Sequence, residues 1–295
     1  MGNVWEAMKK HQAEKAEKAV AAGDNRDGKP AAPPAPTQSD SVAPTDAASP
    51  VVLAGVAATV PKGDPRSPRP RGADGYSPLL AAHHDRGGAL AEEYRGLRTS
   101  LLAQCQDQRF CFMVTSSEAG EGKTLTCANL AVIMAERQDR KTIVLDFDLR
   151  KCMIAGLFNG RQGPGVAEVI RGTARLDDVM QPTVYPTLFF VSAGEVTGKE
   201  VGELVTRPEM DEMVAELRRR FDYVMLDTPP INIVAETGMI GRAVGEALLV
   251  VQMNKTRRES VDKAIRLLHA ANIKLAGLVL THRTYHIPGY LYKYS

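Results

Sequence analysis

From residue 88 onward, apolar residues recur in two alternating rhythms. Short runs are apolar at nearly every position: "RFCFMVTSS", "KTIVLDFDLR", "TLFFVSAG", "FDYVMLDTPP", "EALLVVQM" and "IKLAGLVLT". Between them lie stretches whose apolar residues return every three or four positions, most clearly "GALAEEYRGLRTSLLAQ", "GKTLTCANLAVIMAER", "RPEMDEMVAELRRR" and "RESVDKAIRLLHAAN". The first kind has the length and uniform apolarity of strands buried on both faces. The second has the period of amphipathic helices. More helix is expected near 165–180. Doubly buried strands alternating with helices predict a mostly parallel sheet covered on both sides, a three-layer α/β domain over residues 88–282.

The flanks have a different texture. Residues 1–22 are rich in Ala, Glu and Lys and read as a helix with a thin apolar face, marginal on its own. Residues 23–87 read as a disordered Pro/Ala-rich linker. Ten of the chain's 18 prolines fall in 23–75, too polar and broken a stretch to offset its ordering entropy. The last segment, 283–295, holds four of the eight tyrosines, Tyr285, Tyr290, Tyr292 and Tyr294, beside Pro288 and Gly289, which keep it non-helical. It reads as a flexible tail.

Composition narrows the function classes. A net charge of +2 gives no general affinity for nucleic acid or anionic lipid. The longest apolar run of the front half, "VVLAGVAATV", is about half the ~20 residues of a membrane helix. The N-terminus lacks an apolar signal core, so a cytoplasmic protein without a membrane span is expected. The four cysteines, Cys105, Cys111, Cys127 and Cys152, show no C-x-x-C spacing and read as reduced thiols.

"VTSSEAGEGKTLT" (114–126) carries the clearest chemistry. It follows a strand and opens a helix. Small residues with Gly120 and Gly122 let backbone N–H groups turn inward around phosphates, and the helix start adds its positive dipole end. Residues Ser117, Glu118, Ala119, Gly120, Glu121, Gly122, Lys123, Thr124 and Leu125 form the candidate nucleotide loop. Lys123 is placed to reach the β- and γ-phosphates of ATP and Thr124 to ligate Mg²⁺. Ser117 stands where G-x-x-x-x-G-K-[ST] begins with Gly, a substitution that works if its φ is negative. Asp146 and Asp148 end a strand on one face, and Asp227 ends another in the position of the acid that holds magnesium. Thr124, Asp146 and Asp227 are therefore the candidate metal residues. Lys123, Asp146, Asp148 and Asp227 are the candidate catalytic residues.

Together, "SSEAGEGKTLTCANLA", "IVLDFDLRK" and "FDYVMLDTPP" resemble the bacterial tyrosine kinases of capsule and exopolysaccharide synthesis, P-loop proteins unrelated to eukaryotic protein kinases. The resemblance spans about 88–295. It implies a P-loop NTPase fold, ATP and Mg²⁺ as cofactors, and an autokinase whose C-terminal tyrosines, here Tyr285, Tyr290, Tyr292 and Tyr294, are phosphorylated in trans. It also implies a ring-shaped homo-oligomer through an E-x-x-R-x-x-R motif, matched by Glu92, Arg95 and Arg98. A membrane activator of the chain-length-regulator type is implied as partner, placing the kinase at the inner face of the plasma membrane. Which of Asp146 and Asp148 accepts the phenolic proton stays open.

The chain departs from that pattern in three places. Cys152 stands where the family usually has Pro. Glu236 stands nine residues past Asp227, where Asp is common. "GEVTGKEVGELV" lacks the usual Asn-Pro. Two other readings compete. A nucleotide-driven dimer switch of the partition and cell-division type carries an extra Lys early in the loop, where this chain has Ser117, Glu118 and Ala119. A degenerate ATP-binding scaffold would not need Lys123, Thr124, Asp146, Asp148 and Asp227 all intact.

Overall fold

The computed structural model describes residues 74–105 and 107–282, together with the backbone of Val52–Val56. Its eight strands are β1 (Val52–Val56), β2 (Phe110–Ser116), β3 (Thr142–Asp146), β4 (Gln181–Pro182), β5 (Leu188–Val191), β6 (Tyr223–Asp227), β7 (Glu246–Gln252) and β8 (Lys274–Thr281). They form one sheet in the order β1-β8-β7-β2-β6-β3-β5-β4. Every pairing is parallel except β4 against β5.

Strand β2 shows why these sequences read as continuous apolar runs. All seven of its residues are buried. Phe110, Phe112 and Val114 enter one hydrophobic cluster, while Cys111 and Met113 enter the other. Period-2 alternation thus feeds two cores, one per face. On the first face lie α1 (Ala81–His84), α2 (Ala89–Ala103), α3 (Lys123–Met134) and α4 (Ile154–Leu157). On the second lie α5 (Val166–Arg171), α6 (Leu176–Val179), α7 (Val201–Leu204), α8 (Pro208–Arg220), α9 (Glu236–Val244) and α10 (Arg258–Ala270). The expected three-layer arrangement is present.

Two helices show how sequence sets face. In α8 the buried residues Met210, Met213, Val214 and Leu217 follow the i, i+3, i+4, i+7 stripe. Pro208 opens the helix, Glu209 and Asp211 occupy its first turn, and Arg218, Arg219 and Arg220 its last, all favourable to the helix dipole. By contrast, α3 is buried on all sides. It runs between the sheet and α1, α2 and α4, which is why "LTCANLAVIM" has no polar face.

The domain begins earlier than residue 88. Tyr76, Leu80 and Ala82 belong to the first core, and Leu80 is fully buried. Asn129 of α3 fixes this segment: its Oδ1 accepts Ala82 N–H at 2.9 Å, and its Nδ2 donates to Leu79 O at 3.1 Å. The proline-rich texture that suggests a linker stops before "YSPLLAA", whose apolar residues find a groove on α3. Strand β1 also lies within the span expected to be linker and pairs in parallel with β8. The expected helix 1–22, the remaining linker residues and the tail from 283 lie outside the described residues. Helix α9 is not among the helices expected from sequence, because Gly238 and Gly241 blur its pattern. Gly241 packs closely: a Cβ there would stand 2.3 Å from Ile273 Cδ1 and 2.8 Å from Met113 Cε, so those side-chain ends would have to shift.

Candidate nucleotide site

The site sits on three adjacent strands. β2, β6 and β3 are neighbours and end at Ser116, Asp227 and Asp146. The register sets Asp146 directly beside Asp227, and Val114 beside Asp227. Two carboxylates therefore meet at the carboxyl edge of the sheet, where open α/β folds bind ligands. The loop leaving β2 turns into α3 through Gly120 (φ 85°) and Gly122 (φ 94°), a left-handed conformation that glycine adopts without penalty. Ser117 is not among the residues of positive φ, so serine is tolerated at the head of the loop. Its hydroxyl is fully buried and has no hydrogen-bond partner. The first helical bond of α3 runs from Thr126 N to Gly122 O at 2.8 Å. The amides of Lys123, Thr124 and Leu125 precede it and face the helix start, the geometry of a phosphate cradle.

One ammonium serves several acids here. Lys123 Nζ lies 2.8 Å from Asp148 Oδ2 and 3.4 Å from Asp227 Oδ1. Thr124 Oγ1 donates to Asp227 Oδ2 at 2.7 Å. Asp146 turns to the backbone instead: Oδ1 accepts Asp148 N–H at 3.2 Å and Oδ2 accepts Ile154 N–H at 2.9 Å. Burial and the neighbouring Asp227 charge push the Asp146 carboxyl up to about 8. Asp227 is also raised, chiefly by burial, against the pull of Lys123 and the Thr124 hydroxyl. Burial alone would lower the Lys123 ammonium, but the Asp227 and Asp148 charges outweigh it and hold its pKa at about 12. The cluster is thus short of positive charge, as expected of a site built to receive a cation.

The loop's acidic residues brace it. Glu121 is buried; its Oε2 accepts Glu118 N–H at 2.7 Å, and its Oε1 accepts the Thr256 hydroxyl. Glu118 Oε1 accepts the Ser260 hydroxyl of α10 at 2.7 Å. Thr281, the last residue of β8, donates to Glu121 O at 2.7 Å. Glu118 and Glu121 therefore use their side chains to anchor the loop. Thr256, Ser260 and Thr281 are absent from the sequence reading, and nothing local could flag them, since each lies more than a hundred residues from its partner. Glu121→Ala is expected to weaken ATP binding about tenfold, because a partly buried amide and hydroxyl lose their acceptor at a cost of about 1–3 kcal/mol. Calorimetric titration with Mg-ATP measures this.

The side chains of the expected oligomerisation motif are engaged within the chain. Arg95 pairs with Glu92 and, through Nη2 at 2.5 Å, with Glu136 just past α3. Arg98 Nη1 bonds Glu136 Oε2 at 2.8 Å and Ile133 O at 2.7 Å. The Arg95 hydrogen bond is the main reason the Glu136 carboxyl lies below its usual range. Glu236 pairs with Arg150 at 2.8 Å, so its extra methylene reaches the loop after Asp148. Cys152 has φ 48° and its N–H donates to Asp148 O at 3.0 Å. Proline, with φ fixed near −65° and no N–H, cannot take that conformation. The backbone itself therefore differs from what the resemblance implies. Tyr285, Tyr290, Tyr292 and Tyr294 lie outside the described residues.

Comparison with known proteins fits this geometry. Residues 108–289 match the ParA family, described as NUBPL iron-transfer P-loop NTPase. The chain is 31% identical over 191 residues to tyrosine-protein kinase YwqD of Bacillus subtilis (strain 168), covering 64% of this chain and 80% of that protein. It is 30% identical over 189 residues to the putative tyrosine-protein kinase EpsB of Ralstonia solanacearum, covering 64% of this chain but spanning only 25% of that longer protein. The kinase domain of Escherichia coli tyrosine kinase ETK superposes with a TM-score of 0.69 at 26% identity, covering 82% of this chain and 94% of that domain. A glycine loop, one lysine and three aspartates at or just past strand ends of a parallel sheet, in a chain related along most of its described length to such enzymes, place it among the bacterial tyrosine-protein kinases of the P-loop NTPase fold.

Proposed function

We propose that the protein is an ATP- and Mg²⁺-dependent autokinase that phosphorylates Tyr285, Tyr290, Tyr292 and Tyr294 of a second copy and so regulates exopolysaccharide synthesis and export. The observation that carries this reading is the cluster of Lys123, Thr124, Asp148 and Asp227 behind the loop, with Asp146 beside it. Thr124 Oγ1 and the carboxylates of Asp227 and Asp146 are hard oxygen donors suited to magnesium. When bound, that ion would draw charge from the bridging phosphate oxygens.

The residues of the chain divide the remaining work. The loop amides and the start of α3 hold the phosphates, and the buried Ser117 hydroxyl offers one more donor inside the loop. Lys123 exchanges its carboxylate partners for phosphate oxygens and offsets the charge that builds on the transferring group. Asp148 then loses its closest cation, 2.8 Å away in the nucleotide-free site. It becomes the better acceptor for the phenolic proton, which passes to a carboxylate oxygen as the phenol oxygen bonds phosphorus and ADP leaves. Asp146 is less available to the phenol, because both its oxygens already accept backbone N–H groups and it is fully buried. A phenol, with a pKa near 10, arrives protonated, so this transfer falls late in the step.

The tail delivers the phenols to a neighbouring site, and Glu92, Arg95 and Arg98 contribute to the subunit contact. No helix among the described residues is long and apolar enough to cross a membrane. A membrane protein of the chain-length-regulator type supplies the activating segment and brings the kinase to the inner face of the plasma membrane. Mass spectrometry of the tail after incubation with Mg-ATP and an activator tests the reading. Phosphate is expected on the tail tyrosines, and Phe at 285, 290, 292 and 294 is expected to remove most of the phosphotyrosine while leaving ATP binding unchanged. ATP hydrolysis without any phosphotyrosine would assign the site to a nucleotide switch instead.

A further inference from the structure

Away from the nucleotide site, Asp74, His83 and His84 gather at α1 and the segment just before it. One potential ligand atom from each lies within 4.8 Å of the other two. We propose that these three residues bind a divalent ion of zinc's type, in a site separate from the magnesium–nucleotide chemistry. Two imidazoles and one carboxylate form a borderline N/O donor set that suits Zn²⁺ and is ill matched to Mg²⁺, with water completing the shell.

The surroundings are arranged as for ligands. His84 Nε2 lies 3.1 Å from Ser77 O. A carbonyl only accepts, so the proton sits on Nε2 and leaves the Nδ1 lone pair to bind a metal. His83 is held between the rings of Tyr76 and Tyr185, with centroids at 4.9 Å and 5.7 Å, and its side chain is only 9% exposed. Its Nδ1 lies 2.7 Å from the Tyr185 hydroxyl, and its Nε2 pairs with Asp74 Oδ2. A hydroxyl can donate or accept. When a metal displaces the proton shared by Nε2 and Asp74, the tautomer shifts: Nδ1–H donates to the Tyr185 oxygen. This outer partner fixes ring and tautomer as such groups do in known zinc sites. Asp74 Oδ1 is independently held by Tyr76 N–H at 3.0 Å. Ligands of one tetrahedral zinc stand about 3.4 Å apart, so the donors close in slightly. Asp74 and His84 are exposed, so the movement displaces no core side chain.

A bound ion would staple residue 74 to α1. That helix is tied through Ala82 to Asn129 of α3, the helix that begins with Lys123. The site thus governs how firmly the incoming segment is fastened to the helix carrying the nucleotide loop.

Zinc sulfate titrated calorimetrically into tag-free, chelator-treated full-length protein is the test, with thermal melting alongside. One equivalent of Zn²⁺ is expected to bind and raise the melting temperature. His84→Ala and Asp74→Asn, both at exposed positions, should each weaken binding at least tenfold. Tyr185→Phe should weaken it about ten- to a hundredfold, as outer-shell changes do. Unchanged Mg-ATP affinity in each variant shows that it is folded. A triple change of His11, His282 and His286 to Gln should leave the equivalent in place. The proposal is overturned if wild-type protein shows no saturable zinc binding, if binding survives the combined Asp74→Asn and His84→Ala change, or if it vanishes in the His11/His282/His286 variant.

Discussion

Lys123→Ala is expected to cut tyrosine phosphorylation roughly 10³-fold, the scale on which a preorganised positive donor is lost from a transition state. The same change is expected to weaken the nucleotide-free fold. Lys123 is the cation that Asp148 and Asp227 share, and all three side chains are buried. Removing one member of such a group costs about 3–5 kcal/mol before the acids relax by taking up protons. The pH dependence has a definite sign. Asp146 already has its carboxyl raised to about 8, and Asp227 is raised as well. An acid raised on folding contributes stability that is fully present below its unfolded value near 4 and lost as pH climbs through the folded one. Without Lys123 these values rise further. The melting-temperature deficit of the variant should therefore widen between pH 6 and pH 9. A deficit that narrows with pH would show that Lys123 does not hold these carboxylates ionised.

Asp227→Asn should separate function from stability in the opposite direction. Asp227 touches the Thr124 hydroxyl and Lys123 and stands in register beside Asp146. An amide oxygen still accepts the Thr124 bond, and Asp148 still pairs with Lys123 at 2.8 Å. What disappears is one negative charge from a buried cluster with an excess of them. Functional sites commonly hold such costly arrangements, and relieving them stabilises the fold. The nucleotide-free variant is expected to melt about 2–4 °C higher, equivalent to about 1 kcal/mol in a domain of this size. Kinase activity should fall about 10²–10³-fold as the proposed metal site loses a carboxylate. Melting curves without nucleotide, beside phosphotyrosine quantified after Mg-ATP treatment, report both. A lower melting temperature would mean that the Asp227 charge is fully compensated by Lys123 and Thr124.

Legibility in the sequence follows the range of the interactions. Lys123, Thr124, Asp146 and Asp227 are readable because each occupies a fixed offset from a strand end, and parallel register brings strand ends together. The alternation of doubly buried strands with helices is readable for the same reason. Glu121 looks like an arbitrary loop residue until Thr256, 135 positions away, is folded against it. Glu136 gives no sign that it pairs with Arg95 and Arg98, because the packing of α2 on α3 creates that contact. The true start of the domain is hidden by composition. Tyr76 and Leu80 lie in a short apolar stretch beside a proline-rich one, and packing against α3 explains their burial. The distinction between Asp146 and Asp148 is equally invisible in sequence. It rests on which carboxylate the backbone of residues 148–154 occupies.

In the proposed function, one copy's nucleotide site modifies another copy's tail. The most direct measurement mixes two inactive partners with Mg-ATP and activator: Lys123→Ala protein with its tail intact, and protein with an intact site but Phe at 285, 290, 292 and 294. Phosphotyrosine is expected on Tyr285, Tyr290, Tyr292 or Tyr294 of the Lys123→Ala chain, resolved from its partner by mass. A mixture that leaves those tyrosines unmodified, while unmutated protein phosphorylates its own under the same conditions, would contradict it.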